Sequence, residues 1–198
     1  TTTQENRSGM GYFGQLAGET GSPFSYRLRL EDYGKDFRPA GSSVNQDYQA
    51  YEAHGMWRFK GGLNLRGRAQ HFVDGVNSGN PTKTSVGGIN LTGPFAIKAL
   101  PGLTTSLDAF LQEAKNRNNS FNNRVSSVNL SLSMPVRGWA ARLGLAGRHT
   151  EDYSATGNPT QRSYDTNLSA THGIVLGGFK GSITPGLVYQ KTGGNGTD

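Results

Sequence analysis

Apolar and polar residues alternate along most of this chain. In the clearest stretch, 24–31, one face would hold aromatic and leucine side chains and the other a serine and charged side chains. The alternation recurs at 51–60, 63–73, 103–111, 128–134, 139–145 and 164–170, and more weakly at 10–17, 84–92 and 179–189. Side chains of a β-strand point alternately to its two faces, so the pattern predicts an all-β protein of about ten strands. Many are as long as the roughly 9–11 residues with which a tilted strand crosses a bilayer.

The links between the predicted strands alternate in length. Tight links are expected at 20–23, 61–62, 94–102, 135–138 and 173–178, and longer polar links at 34–46, 74–81, 116–123 and 151–160. Outer-membrane barrels have short periplasmic turns and longer extracellular loops. The chain therefore resembles bacterial outer-membrane β-barrel proteins, porin-like or large transport barrels, as a class. The resemblance implies an antiparallel up-and-down transmembrane β-barrel, with the lipid bilayer as partner and the bacterial outer membrane as location.

Composition narrows the choice of fold class. Hydrophobic residues make up 33% and charged residues 17% of the chain, and both values are low for a water-soluble globular domain. An aromatic content of 10% argues against disorder. The chain has no cysteine, which excludes disulfides and cysteine metal sites. No apolar run approaches the roughly 20 residues of a membrane-spanning helix.

The 198 residues are expected to form a single β-barrel domain, 1–198, or an internal fragment of a larger barrel. If the tight links face the periplasm, the first predicted strand descends from outside and the tenth returns there. The resemblance implies instead that a complete barrel keeps both termini in the periplasm. A fragment with flanking strands elsewhere is the simplest explanation, and a miscounted first or last strand is the alternative.

Basic side chains concentrate on the predicted polar face of the second to fourth strands. This lumen basic belt comprises Arg27, Arg29, Arg58, Lys60, Arg66 and Arg68, and we expect the acidic Glu31 and Glu52 nearer the opposite rim. Burying such charges in hydrocarbon costs about 2–4 kcal/mol each at the midplane, so they must face water or one another. The belt could favour anions, or it could be a solvated wall with cross-strand Arg–Glu pairs.

Aromatic residues cluster near the ends of the predicted strands. Phe24, Trp57, Phe59, Trp139 and Phe179 fall near tight links, and Tyr33 and Tyr189 fall near long links. Such rings are typical of the two aromatic girdles at the membrane–water boundaries of a barrel. Alternatively, aromatic residues are present because they favour strands in general.

The sequence contains no recognisable motif for catalysis or cofactor binding. The four histidines, His54, His71, His149 and His172, lack the spacing of zinc ligands, and no Gly-x-Ser-x-Gly elbow occurs. The net charge of +6 raises the question of nucleic acids, but the basic residues alternate with apolar ones instead of forming a dense run. We therefore expect no enzymatic activity, no cofactor, no metal and no nucleic-acid partner. The alternative is a barrel enzyme whose catalytic groups lie outside any local motif.

Three functions agree with the pattern. The leading one is passage of a polar or anionic solute through a polar, partly basic lumen. The second is a barrel scaffold that encloses a partner protein, such as a plug, a secreted substrate or an electron-carrying subunit. The third is a soluble extracellular β-rich adhesin segment. Apolar rows packed against a second sheet or a helix would exclude the transport reading.

Overall fold

The computed structural model describes residues 9–19, 23–37, 47–95, 97, 99–154 and 160–194. Its strands are β1 (Gly11–Glu19), β2 (Phe24–Tyr33), β3 (Tyr48–Arg58), β4 (Asn64–Asp74), β5 (Thr82–Pro94), β6 (Thr104–Asn116), β7 (Asn122–Val136), β8 (Trp139–Asp152), β9 (Gln161–Leu176), β10 (Phe179–Ile183) and β11 (Gly186–Gly194). Within these ranges, no helix has the length and hydropathy needed to cross a membrane. Parts of the predicted links, 20–22, 38–46 and 155–159, lie outside the described residues.

All the strands belong to one antiparallel sheet, in which the order in space follows the order along the chain. Each consecutive pair from β1 to β10 is hydrogen-bonded, and β11 also pairs with β9. The prediction of an all-β fold of antiparallel, up-and-down strands is thereby confirmed. Among the described residues β1 pairs only with β2, so closure into a transmembrane barrel stays a prediction. Every predicted strand is present, and most extend a few residues further than the alternation indicated.

The segments β10 and β11 form one strand in physical terms. Both pair with β9 in the same register, with Phe179 opposite Leu176 and Gly186 opposite Ser169. The ladder is interrupted at Pro185, which has no N–H to donate. Its carbonyl still accepts a hydrogen bond of 3.1 Å from the Ala170 N–H. The described residues therefore form ten strands, which agrees with the prediction of about ten.

Two hairpins close through tight turns that need left-handed backbone. Arg137 and Gly138 have φ angles of 49° and 84°, and Gly177 and Gly178 have 54° and 88°. Positive φ at both central residues is characteristic of the type I′ turn, whose twist matches that of the flanking strands. These two turns lie at the end of the sheet where tight links were predicted.

The alternation of link lengths is less regular than predicted. The link 95–103 was expected to be tight and is longer than the link 117–121, which was expected to be long. Asparagines explain the second case, because local side-chain hydrogen bonds favour compact turns. The Asn116 N–H donates to the Phe121 carbonyl at 2.9 Å, and the Asn116 side-chain oxygen accepts from the Phe121 N–H at 3.0 Å.

The strand register places apolar side chains in continuous rows on one side of the sheet. One such row contains Trp57, Leu65, Leu91, Leu107, Leu130 and Leu145. We call this side the apolar face and the other the polar face. Strand-to-strand contacts among the described residues are confined to sheet neighbours, so no second layer covers either face. The leucine rows consequently remain half-buried or exposed, with Leu145 at 40% and Leu168 at 49% exposure.

Candidate functional site: an arginine cluster on the polar face

Three arginines of the predicted belt meet on the polar face of β2–β4. Arg27 lies opposite His54, which lies opposite Arg68 on the next strand. Arg66 is two residues before Arg68 and therefore points to the same face. We call these four residues the arginine cluster. Neighbouring strands place their side chains within about 5 Å of one another, so positive charge accumulates at one level of the sheet.

A cavity of about 640 Å³ opens over this cluster. Its polar lining comprises Ser25, Arg27, His54, Arg66, Arg68, Asn90 and Asp108. Asp108 lies opposite Asn90 and is the carboxylate of this lining. The cavity is thus rich in hydrogen-bond donors, and its formal charge is positive.

The arginines of the belt differ in their partners. Arg29 forms an ion pair with Glu31 on the same strand, and its guanidinium carbon lies 5.4 Å from the centre of the Phe13 ring. The guanidinium carbon of Arg68 lies 5.4 Å from the centre of the Phe110 ring, a cation–π contact that leaves its charge unneutralised. Among the described residues, no carboxylate lies within 4.0 Å of the charged nitrogens of Arg27, Arg66 or Arg68. Cross-strand Arg–Glu pairing therefore does not account for the cluster.

One of the two carboxylates of the belt region, Glu52, lies closer to the arginines than expected. Glu52 lies directly opposite Arg29, level with it in the sheet rather than nearer the opposite rim. It accepts a hydrogen bond of 3.4 Å from Gln70 and lies 3.8 Å from the His54 ring. Glu31 lies two residues beyond Arg29 on the same strand, toward the long links, and is 8% exposed. The difference arises because the alternation indicates the face of each residue but not which residues stand opposite one another.

Three predicted members of the belt, Arg29, Arg58 and Lys60, lie outside the cavity. Arg58 is the last residue of β3, opposite Asn64, and Lys60 lies in the turn that follows β3. The sheet thus concentrates only part of the predicted belt. Phe110 and Asn90 on the next two strands were not predicted as site residues, and only the register reveals that they lie beside Arg68 and Arg66.

The predicted girdle residues divide between the two faces. Phe24, Trp57 and Phe59 form a chain of rings near a tight turn, with centroid distances of 5.7 Å and 6.3 Å. Trp139 lies 4.8 Å from the His172 ring, and Phe179 and Tyr189 are 82% and 61% exposed. Tyr33 is the exception, because it lies on the polar face and donates a hydrogen bond of 3.4 Å to Glu31.

Within the described part of the chain, no group of three or more histidine, cysteine or acidic residues is arranged to hold a metal ion. The one close histidine–hydroxyl contact of the described residues is on the apolar face, where the Nδ1 atom of His71 lies 2.9 Å from the Ser85 hydroxyl. In the sequence His71 has the parity of its apolar neighbours Ala69 and Val73. Its serine partner depends on the pairing of β4 with β5.

Comparisons with known proteins give one structural likeness. No protein-family model and no curated protein sequence matches the chain. Among solved structures, LpxR from Salmonella typhimurium is similar at 11% identity, over 90% of this chain and 81% of that chain, with a TM-score of 0.30. At that TM-score the likeness assigns no activity or substrate to this chain.

The comparison nevertheless corrects one expectation. The lack of a recognisable catalytic motif predicts no enzymatic activity for this chain. LpxR is an outer-membrane β-barrel enzyme. The prediction that this chain has no enzymatic activity is therefore withdrawn.

Proposed function

We propose that this chain forms part of the wall of a bacterial outer-membrane β-barrel. An anionic solute passes through the lumen of this barrel and contacts the arginine cluster on the way. The solute would carry phosphate, sulfate or carboxylate groups, the chemistry that guanidinium groups recognise. The observation that carries the proposal is the gathering of Arg27, Arg66 and Arg68 around one cavity without a carboxylate partner.

The apolar face supports the membrane part of the proposal. Water-soluble proteins rarely expose continuous apolar patches larger than a few hundred Å². Here leucine rows cross the sheet without a covering layer in the described residues. Insertion of a barrel into lipid accounts for the uncovered leucine rows, because the outward side chains of a barrel contact acyl chains. A soluble adhesin segment would need a protein core over the same rows.

The polar face supports the solute part. Charged side chains on a barrel wall are tolerated where they face an aqueous interior, and rings of one sign select ions of the other. Arg27, Arg66 and Arg68 are exposed to that side and free to contact a solute. Serine, asparagine and histidine side chains around them add further hydrogen-bonding groups, as a solute with both charge and hydroxyls requires.

The test is ion selectivity of the full-length protein in planar bilayers under a KCl gradient. We expect anion preference in the native protein. The triple variant Arg27→Gln, Arg66→Gln, Arg68→Gln should shift the anion-to-cation permeability ratio roughly three- to tenfold toward cations. Each removed charge contributes about 0.5 kcal/mol at roughly 8 Å in water before screening by salt.

A matched control removes three cations away from the cavity. The control variant is Arg124→Gln, Arg162→Gln, Lys191→Gln. These three residues lie on the apolar face near the long links, so the permeability ratio should stay nearly unchanged. Equal shifts in both variants would mean that net charge, and not the cluster, sets selectivity. A native protein that conducts nothing and co-purifies with a partner inside it would replace solute passage by the scaffold function.

A further inference from the structure

A second cavity, of about 870 Å³, lies mainly on the apolar face, across strands β1–β6. Its floor is formed by the small residues Ala53, Ala69 and Gly87, which lie side by side on β3, β4 and β5. Leu28 and Leu111 continue this row on either side and form the walls. A Cβ atom at Gly87 would meet no atom within 4 Å, so the floor is open there. This apolar groove faces the side that we assign to lipid.

Polar side chains border the groove on the side toward the long links. His71 and Ser85 occupy the next row of the same face, and the His71 Nδ1 atom lies 2.9 Å from the Ser85 hydroxyl. Glu113 lies opposite Ser85 on β6. Polar groups that face hydrocarbon are costly unless they are hydrogen-bonded. Their position is therefore understandable if they lie at the depth where lipid esters begin.

Beyond this pair, toward the long links, lies a cluster of cations. Lys83, Lys115 and Arg117 line a cavity of about 570 Å³ together with several asparagines. Lys115 pairs with Glu113 at 3.6 Å. In the described residues, no carboxylate lies within 4.0 Å of the charged nitrogens of Lys83 or Arg117. Lys83 precedes Ser85 by two residues and lies about 7 Å further along the strand.

Along one direction of the wall, the order is an apolar groove, a hydroxyl–imidazole pair and a cationic cavity. An acyl lipid with a phosphate group has the same order of chemistry: hydrocarbon chain, ester and anion. We propose that this surface is a specific binding site for a phosphate-bearing acyl lipid of the leaflet at the long-link end. The groove takes an acyl chain, Ser85 and His71 hydrogen-bond the ester region, and Lys83 and Arg117 bind the phosphate.

The occupant is a membrane lipid and not free phosphate, because the apolar groove provides most of the contact surface and inorganic phosphate cannot use it. The inference shares with the proposed function the assignment of the apolar face to lipid. It does not depend on the arginine cluster or on solute passage.

The test is native mass spectrometry of the full-length protein in detergent, titrated with dipalmitoyl phosphatidylglycerol, dipalmitoylglycerol or inorganic phosphate. We expect the phosphatidylglycerol to bind most tightly. Lys83→Gln with Arg117→Gln should weaken its binding about ten- to hundredfold, since two charge-assisted contacts are lost. Gly87→Leu should weaken phosphatidylglycerol and dipalmitoylglycerol alike by filling the groove, with Gly87→Ala as a milder variant if the leucine impairs folding.

The matched controls are Lys191→Gln, a cation of the same face outside both cavities, and Gly147→Leu, a glycine of the same face on β8. Both should bind phosphatidylglycerol as the native protein does. Equal binding of the charged and neutral lipids, or of inorganic phosphate and phosphatidylglycerol, would overturn the site. Ion selectivity is read in a separate experiment, so the lipid site and the solute proposal can fail independently.

Discussion

Strands β4 and β7 carry similar residues on the apolar face and different residues on the polar face. On the apolar face, Leu65 and Leu130 belong to the same leucine row. On the polar face, β4 carries Arg66 and Arg68, whereas β7 carries Asn129, Ser131 and other neutral residues. The constant face reflects an environment that is the same around the wall. The variable face reflects local chemistry, and it is there that a solute site can differ from plain wall.

The largest expected effect comes from placing a charge on the shared face. Leu130→Arg should destabilise the protein by about 2–4 kcal/mol, because the guanidinium would enter hydrocarbon. Ser131→Arg, one residue along and on the polar face, should change the stability by no more than about 0.5 kcal/mol. Urea unfolding of the full-length protein in lipid vesicles measures both. Similar losses in the two variants would contradict the assignment of the faces.

The difference between the polar faces can be tested by moving charge from β4 to β7. The variant Arg66→Gln, Arg68→Gln, Asn129→Arg, Ser131→Arg keeps the net charge. We expect pyrophosphate to bind the arginine cluster of the native protein and block its current. The variant should keep some anion preference, but its affinity for pyrophosphate should fall about tenfold or more, because the cavity has lost two guanidinium groups. Single-channel recordings report both quantities. Undiminished block would show that position on the wall is irrelevant.

Turn chemistry should have a smaller effect. Gly138 has a φ of 84°, a conformation that costs an alanine about 1 kcal/mol or somewhat more. Gly138→Ala should therefore lower the free energy of unfolding by that amount, whereas Gly147→Ala within β8 should not lower it. Urea midpoints of the two variants provide the comparison, and equal midpoints would argue against the type I′ turn.

The smallest effect concerns the interrupted strand. Pro185→Thr restores an N–H opposite Ala170 and should stabilise the β9–β11 pairing by about 0.5–1 kcal/mol. Hydrogen exchange of the amides around Gly186 should slow accordingly. Unchanged exchange would indicate that β10 and β11 behave as separate segments.

The sequence predicts the strands and their faces well because both follow from a period of two that each segment carries itself. The alternation at 24–31 places Leu28 and Arg27 on opposite faces, as the structure does. It cannot indicate the register between strands, which depends on turn geometry and on side-chain packing across the sheet. For that reason the sequence misplaced Glu52, and the neighbours Phe110 and Ser85 were not foreseen. Tyr33 was assigned to the girdle by its nearness to a long link although its parity matches Glu31.

The most direct test of the membrane assignment uses the absence of native cysteine. Single cysteines at successive positions 139–147 of β8 can carry a nitroxide spin label in the full-length protein reconstituted in lipid. We predict that Leu143 and Leu145 report high exposure to oxygen dissolved in the bilayer, and that Arg142 and Gly144 report exposure to a water-soluble nickel reagent. Water exposure at both sets of positions, or no alternation between them, would contradict the account.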